Sequence, residues 1–311
     1  MNKKYLIVVV GPTAVGKTSF AIDVAKELSS EIISADSRQF FKEMNIGTAK
    51  PSEEELKTVK HYFINSLSIK DEYNVGIYER DTLKLLDKIF ETTNVAVLAG
   101  GSGLYINAVC NGFDKVPPAD KEIRTQLEKL YKESGIEALC SLLKKYDDEH
   151  YKKIDLSNPH RLIRAIEVCI ATGEKYSDLR KKDNGDPSSI IRHRSFEILK
   201  IGLHMEREKL YERINTRVDE MMNKGLLEEV RSLAALRKEG KLNSLQTVGY
   251  KELFDFIDGK TELTRAVELI KQNTRNFAKR QMTWFRKDDT IKWFDANERE
   301  SILQFIRKEI L

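Results

Sequence analysis

The sequence predicts an α/β protein, a parallel sheet wound with helices and interrupted by an all-helical insertion. Three observations carry this expectation. Short β-rich runs alternate with helical stretches in the first third, and strand signals then vanish between about residues 116 and 194. A β-like run, Phe196–Leu203, finally restores the sheet pattern. The core is therefore expected over 1–114 and 195–311, with the insertion at 115–194.

The first strand is expected at Tyr5–Val10. Lysines precede this apolar run, as in a signal peptide, but six residues are too few for an export segment, and a glycine-rich loop follows directly. Glu31–Ala35 and Val95–Ala99 read as further buried strands, while Lys17–Leu28 and Tyr78–Phe90 show the three- and four-residue apolar spacing of helices. Within the insertion, Lys121–Lys132 and Pro159–Thr172 read as helices. The second has Asn158 as N-cap, Pro159 at its first position and Gly173 just past its end. The turn-rich KKDNGDPSS at 181–189 reads as a loop. Long helices are expected after Phe196–Leu203 to the C-terminus, one of them over about Glu206 to Lys224.

Composition narrows the function classes. A net charge of +4 is only mildly basic, so a nucleic-acid footprint must be local. Cys110, Cys140 and Cys169 form no CxxC pair and the five histidines lack metal-ligand spacing, which argues for reduced thiols in the cytosol rather than a disulfide frame or a zinc site. No apolar stretch is long enough to cross a membrane, and a cytoplasmic protein is expected.

Residues 11 to 18, GPTAVGKT, fit the phosphate-loop pattern in full through Gly11, Gly16, Lys17 and Thr18, between a strand and a helix. Backbone amides of Gly11, Pro12, Thr13, Ala14, Val15 and Gly16 form the expected cradle, proline contributing shape only. Lys17 adds a point charge, and the Thr18 hydroxyl is suited to a magnesium ion. The pattern does not name the phosphate ester. A triphosphatase normally carries an aspartate at the end of a hydrophobic strand, yet Val95–Ala99 runs into GGSGLY, leaving Asp36 as the strand-end carboxylate.

Five further stretches, SADSRQFFKEMNIGTAKP (34–51), GGSGLYINAV (100–109), NPHRLIRAIEV (158–168), TVGYKE (247–252) and AKRQMTWFR (278–286), resemble, in order, motifs of the tRNA dimethylallyltransferases. The likeness spans nearly the whole chain. It implies a P-loop kinase-like core, magnesium dependence, and transfer of a dimethylallyl group from its diphosphate to N6 of the adenosine just 3′ of the anticodon. Where many members carry threonine this chain has Ser102, which keeps the hydroxyl. The zinc finger of some eukaryotic members is absent, as in the shorter bacterial type.

Under that resemblance the phosphate loop holds the leaving diphosphate of dimethylallyl diphosphate. Asp36 is the expected base on the adenine amine, at the edge where such sheets bind ligands. Ser37, Arg38 and Gln39 are expected to receive the flipped base, Gln39 through its edge. Arg217 falls near the centre of the apolar stripe Leu210, Ile214, Val218 and Met221. A charge there needs an anionic partner, either the donor diphosphate, as in the family, or an internal carboxylate.

The run 271–287 holds six basic residues and no acids, with Phe277, Trp284 and Phe285 among them. It reads either as a solvated helix face over a packed aromatic stripe or as an RNA contact. By family position, tRNA contact extends to Ser102, Arg124, His160, Arg161, Leu162, Ile163, Arg164, Gly249, Tyr250, Lys279 and Arg280. The expected partners are thus a tRNA anticodon stem-loop and dimethylallyl diphosphate, with no obligate protein partner. Two rivals stand beside this: a kinase or prenyltransferase of free nucleotides, and a non-catalytic RNA-binding nucleotide hydrolase, the latter disfavoured by the absence of an NKxD motif.

Overall fold

The computed structural model describes residues 3–112, 120–183, 195–239 and 242–310. The chain divides into two compact units, Met1–Cys110 with Ser195–Leu311, and Asn111–Arg194. Residues 184–189 of the expected loop at 181–189 lie outside the described residues.

The first unit carries β1 (Tyr5–Val10), β2 (Ile32–Ser34), β3 (His61–Tyr62), β4 (Val95–Ala99), β5 (Glu197–His204) and β6 (Lys292–Asp295). They form one sheet in the order β3-β2-β4-β1-β5-β6, every pairing parallel. β3 and β6 were not expected from the sequence. They are edge strands of two and four residues, too short to show alternation.

Helices α1 (Lys17–Glu27), α2 (Glu53–Thr58), α3 (Val75–Thr92) and α4 (Gly103–Asn111) precede the insertion. The insertion carries α5 (Lys121–Tyr146), α6 (Asp148–Tyr151), α7 (Pro159–Thr172) and α8 (Tyr176–Asp183). After β5 come α9 (Arg207–Asn223), α10 (Leu226–Ser232), α11 (Ala234–Glu239), α12 (Tyr250–Ile257), α13 (Leu263–Phe285) and α14 (Arg299–Ile310).

The apolar run of β1 is continuous because both faces of its strand are covered. Ile7 and Val9 pack with Phe20 and Val24 of α1 on one side, whereas Leu6, Val8 and Val10 pack with Tyr78, Leu86 and Ile89 of α3 on the other. Leu6, Ile7, Val8 and Val9 are fully buried, and each such side chain contributes about 1.5–3 kcal/mol. A third cluster joins α9, α10, α12 and α13 through Val218, Leu226, Val230, Tyr250, Leu253 and Ile270. It also takes in Phe41 and Met44 from the segment after β2.

In the insertion the side chain of Asn158 caps α7 by accepting from the Arg161 amide at 3.2 Å, with Pro159 inside the start and Gly173 at the end, as the sequence predicts. The helix expected at Lys121–Lys132 continues instead to Tyr146, breaking its regular geometry at Gly135. Leu127, Leu139, Leu143, Leu162 and Ile166 form the core of this unit. α3 likewise starts before its expected Tyr78, because Asn74 caps it through the Gly76 and Ile77 amides.

Loops after β1, β2 and β4 lock together at one edge of the sheet. The Ala35 amide donates to Ala99 O at 2.8 Å, Gly100 N to Val9 O at 3.2 Å, and Ser102 N to Ala35 O at 3.1 Å. Gly100 approaches so closely that a Cβ there would lie 2.2 Å from the Ala35 carbonyl oxygen. Backbone cannot yield as a flexible side chain can. Gly100→Ala is therefore expected to cost about 1–3 kcal/mol, read as a lower urea midpoint with an unchanged slope. An unaltered midpoint would show that these loops are not interlocked.

Candidate active site

Two cavities open at this edge of the sheet. The larger, about 1080 Å³, takes its wall from the phosphate loop, from the segment after β2 and from α9. The smaller, about 550 Å³, lies among the segment after β2, the start of α4, and α9 and α13. Asp36 lines both, as do Thr13, Thr48, Ala49, Gly101, Arg217 and Met221.

Of the expected phosphate cradle, Thr13, Ala14, Gly16, Lys17 and Thr18 line the larger cavity. Gly11, Pro12 and Val15 do not. They are buried beneath it, with Val15 in the apolar core. The Thr13 amide already donates to Gln281 Oε1 at 2.8 Å, and Gln281 Nε2 donates to Gly101 O at 2.9 Å. This buried glutamine of α13 thus ties the phosphate loop to the loop after β4. Anion-binding amides must come from the later residues of the loop and the α1 N-terminus.

Lys17 Nζ rests on Pro12 O at 2.7 Å. Burial pulls its ammonium down to about 7, with Asp36 opposing and Arg217 adding to the depression. Burial also lowers Arg38 and Arg217, and in both cases Asp36 pulls the other way. Arg217 lies on the inward face of α9, as its place in the stripe predicts. Its guanidinium donates to Ala49 O at 3.5 Å, a carbonyl where a carboxylate was one of the two expected partners. Arg213, one turn earlier, lines the same cavity.

Asp36 follows β2 directly, and its Oδ1 accepts from the Arg38 amide at 3.0 Å. The turn is held from two sides. Ser102 Oγ accepts from the Ser37 amide at 3.0 Å, which makes Ser102 a brace for Asp36. Phe40 is buried among Phe63, Tyr73, Tyr78 and Tyr105, ring centroids 5.4 to 6.2 Å away, and the Tyr78 hydroxyl donates to Ser34 O at 3.0 Å. Nothing in the sequence pattern marked this aromatic box.

Several expected contacts need correction. Gln39 is nearly buried, and its amide is engaged internally. Nε2 donates to Thr48 O and Ala49 O at 3.3 and 3.2 Å, and Oε1 accepts from Ser34 Oγ at 3.2 Å. It shapes the wall of the larger cavity with its amide group already engaged. Tyr250 is fully buried, its hydroxyl on Glu229 at 2.5 Å, whereas Gly249 lines the smaller cavity. Leu162 and Ile163 are sealed in the helical unit's core. Arg124 and Arg164 both reach the buried Glu167, at 3.1 and 3.2 Å, so part of their charge is structural.

The remaining candidates keep accessible surfaces. Ser37, Arg38, Ser102 and Arg280 line the smaller cavity. His160, Arg161 and Lys279 are exposed, Lys279 with its ammonium 5.9 Å from the Tyr211 ring. Sequence reasoning missed Gln281 as a tie and Glu229 altogether. Gln281 stands inside the AKRQMTWFR motif, but no spacing rule singled it out.

A family profile described as IPP transferase matches residues 39–288. The chain belongs to the IPP transferase family. It is 50% identical over 307 residues to the tRNA dimethylallyltransferase of Christiangramia forsetii, covering 98% of each chain. With the tRNA dimethylallyltransferase 1 of Bacteroides fragilis it shares 45% over 310 residues and the full length of both. Among solved structures it is similar to the full-length tRNA isopentenylpyrophosphate transferase of Bacillus halodurans. That match has 36% identity and a TM-score of 0.72, and covers 99% of this chain and 97% of that one. The parallel sheet and its loop after β1 thus form a P-loop-like fold, as the resemblance implied.

The state of Lys17 gives a pH dependence with a definite sign. An anion in the loop favours the charged ammonium, so binding above pH 7 draws in a proton. The affinity for inorganic diphosphate that this lysine contributes should be full below about pH 7 and should fall as pH rises above it, toward the higher value that a bound anion gives the ammonium. Calorimetry in two buffers of different ionisation enthalpy should show proton uptake that Lys17→Arg abolishes. Equal uptake in both proteins would assign the proton to a group other than Lys17.

Proposed function

We propose that the chain transfers the dimethylallyl group of dimethylallyl diphosphate to N6 of the tRNA adenosine just 3′ of the anticodon, releasing diphosphate. One observation carries the reading: Asp36 lines both cavities, and only the larger includes the residues of the phosphate loop's α1 end. The curated relatives named tRNA dimethylallyltransferase, matched over their full length, support it.

In this reading the donor's diphosphate sits against the loop amides, Lys17 and Arg217, which stabilise the negative charge that develops as the allylic C–O bond breaks. The adenine enters the smaller cavity from the RNA side, flipped out of its loop. Asp36 accepts a hydrogen bond from the N6 amine and takes its proton as the N6–C bond forms. The bond pair of the departing oxygen leaves with diphosphate. N6 is a weak nucleophile, and a positioned base raises its reactivity.

Magnesium fits this donor set on chemical grounds. Among the described residues no three His, Cys, Asp or Glu side chains gather to cage a metal. Magnesium does not require such a cage, because it commonly keeps waters and binds substrate phosphates with one or two protein oxygens. Thr18, in the first turn of α1 and lining the larger cavity, would hold it, and the ion would neutralise diphosphate charge.

For the acceptor, the rim of the smaller cavity offers Leu104, Phe277 and Trp284, each more than a third exposed, beside Arg38 and Arg280. Apolar faces next to guanidinium groups suit unpaired bases and their phosphates. The exposed His160 and Arg161 of the helical unit, with the outer parts of Arg124 and Arg164, suit phosphate contacts to the anticodon stem. A free-nucleotide prenyltransferase would have no use for that unit. No helix among the described residues is long and apolar enough to cross a membrane.

Incubation with labelled dimethylallyl diphosphate, magnesium and bulk tRNA, followed by digestion, should yield labelled N6-isopentenyladenosine. Label appearing on free AMP but not on tRNA would overturn the assignment. Asp36→Asn should slow single-turnover transfer by about 10²- to 10⁴-fold, with diphosphate and tRNA binding retained. A near-normal single-turnover rate would remove Asp36 from the base role.

A further inference from the structure

We infer that Glu229, which lines neither cavity, is a positioning residue for the diphosphate grip and acts through Arg217. The inference rests on the reading that the larger cavity takes an allylic diphosphate. Glu229 stands on α10, and its carboxylate gathers three consecutive backbone amides of the segment after β2. Oε2 accepts from Asn45 N and Ile46 N at 3.0 and 2.7 Å, and Oε1 accepts from Gly47 N at 3.1 Å and from the Tyr250 hydroxyl at 2.5 Å. Burial and the neighbouring carboxylate push the Tyr250 phenol above its ordinary range, so it serves as a donor.

The clasp fixes backbone position closely. A Cβ on Gly47 would lie 2.5 Å from the Tyr250 ring, so the chain can lie on that ring only as glycine. Thr48 and Ala49, the next two residues, belong to the wall shared by both cavities. Thr48 O and Ala49 O hold the Gln39 amide, and Ala49 O also faces Arg217 Nη2 at 3.5 Å. Ala49 adopts φ +47°, a conformation that a non-glycine residue keeps only when its neighbours over-determine it. Three amides, a ring and Gln39 supply that constraint. Release of the amides frees the carbonyl on which Arg217 rests, and the guanidinium loses the orientation in which it meets an anion.

Glu229→Gln preserves volume but presents an NH₂ to one pair of donors, so two of the four hydrogen bonds are lost. The expected result, measured by calorimetry with inorganic diphosphate, is about a tenfold weaker affinity. The donor KM should rise in step, and single-turnover transfer at saturating donor should slow less than in Arg217→Ala, because a misdirected Arg217 stabilises the departing diphosphate less well. The decisive comparison is with Arg217→Ala. If Glu229 acts through Arg217, the double variant binds diphosphate no more weakly than Arg217→Ala alone. Tyr250→Phe, which removes one bond and keeps the ring on Gly47, should show a smaller loss of the same kind, and it carries the test should Glu229→Gln fail to fold. Additive losses, or unchanged diphosphate affinity in both clasp variants, would overturn the inference. A wild-type protein that bound no diphosphate would instead overturn the functional reading beneath it.

Discussion

Everything at this site depends on one electrostatic constraint: three cations, Lys17, Arg38 and Arg217, withdrawn from water around the carboxylate of Asp36. Burial disfavours the charged form of each, and Asp36 is the common group that opposes this. Glu220 also favours the charged form of Arg217, and an anion added beside the three cations would favour the charged form of each. The larger cavity, walled by the phosphate loop, is where such an anion would be accommodated. A leaving group that gains negative charge as its bond breaks suits these cations better than a neutral ligand does.

Holding Asp36 there is the work of distant parts of the chain. The sheet brings β2 beside β4, the Ala35 and Ser102 backbone bonds join their loops, and Phe40 anchors the turn in an aromatic box. Gln281 reaches from α13 to the phosphate loop and to Gly101. Glu229 reaches from α10 to the segment that carries Ala49. The family motifs of the sheet-bearing unit are therefore one contact network: Gly101 meets Gln281, Gly103 meets Trp284, and Gly47 meets Tyr250.

This network explains which features were legible in the sequence. The phosphate loop is local, a glycine pattern between strand and helix, and Asp36 stands just past a buried strand, so both could be read without knowledge of tertiary contacts. Arg217 was legible because helical periodicity turned a charge inward. The same periodicity would have excluded Leu162 and Ile163, apolar residues that α7 directs into the core of its own unit. Only family position assigns them to the RNA. Gln39 and Tyr250 look like surface readers until their partners are seen, Thr48, Ala49 and Ser34 for one and Glu229 for the other. Glu229 itself lies in LLEEVRS, an ordinary helix with no local mark of its role.

The central claim is that Asp36 joins two half-sites, a diphosphate on one side and an adenine amine on the other. A crystal structure of the protein with an unreactive thio-diphosphate analogue of the donor and an anticodon-loop RNA hairpin tests it most directly. The account predicts diphosphate oxygens on the loop amides and Lys17, with adenine N6 about 2.6–3.2 Å from the Asp36 carboxylate. An adenine lying outside the smaller cavity, with Asp36 bound only to diphosphate-associated magnesium, would contradict it.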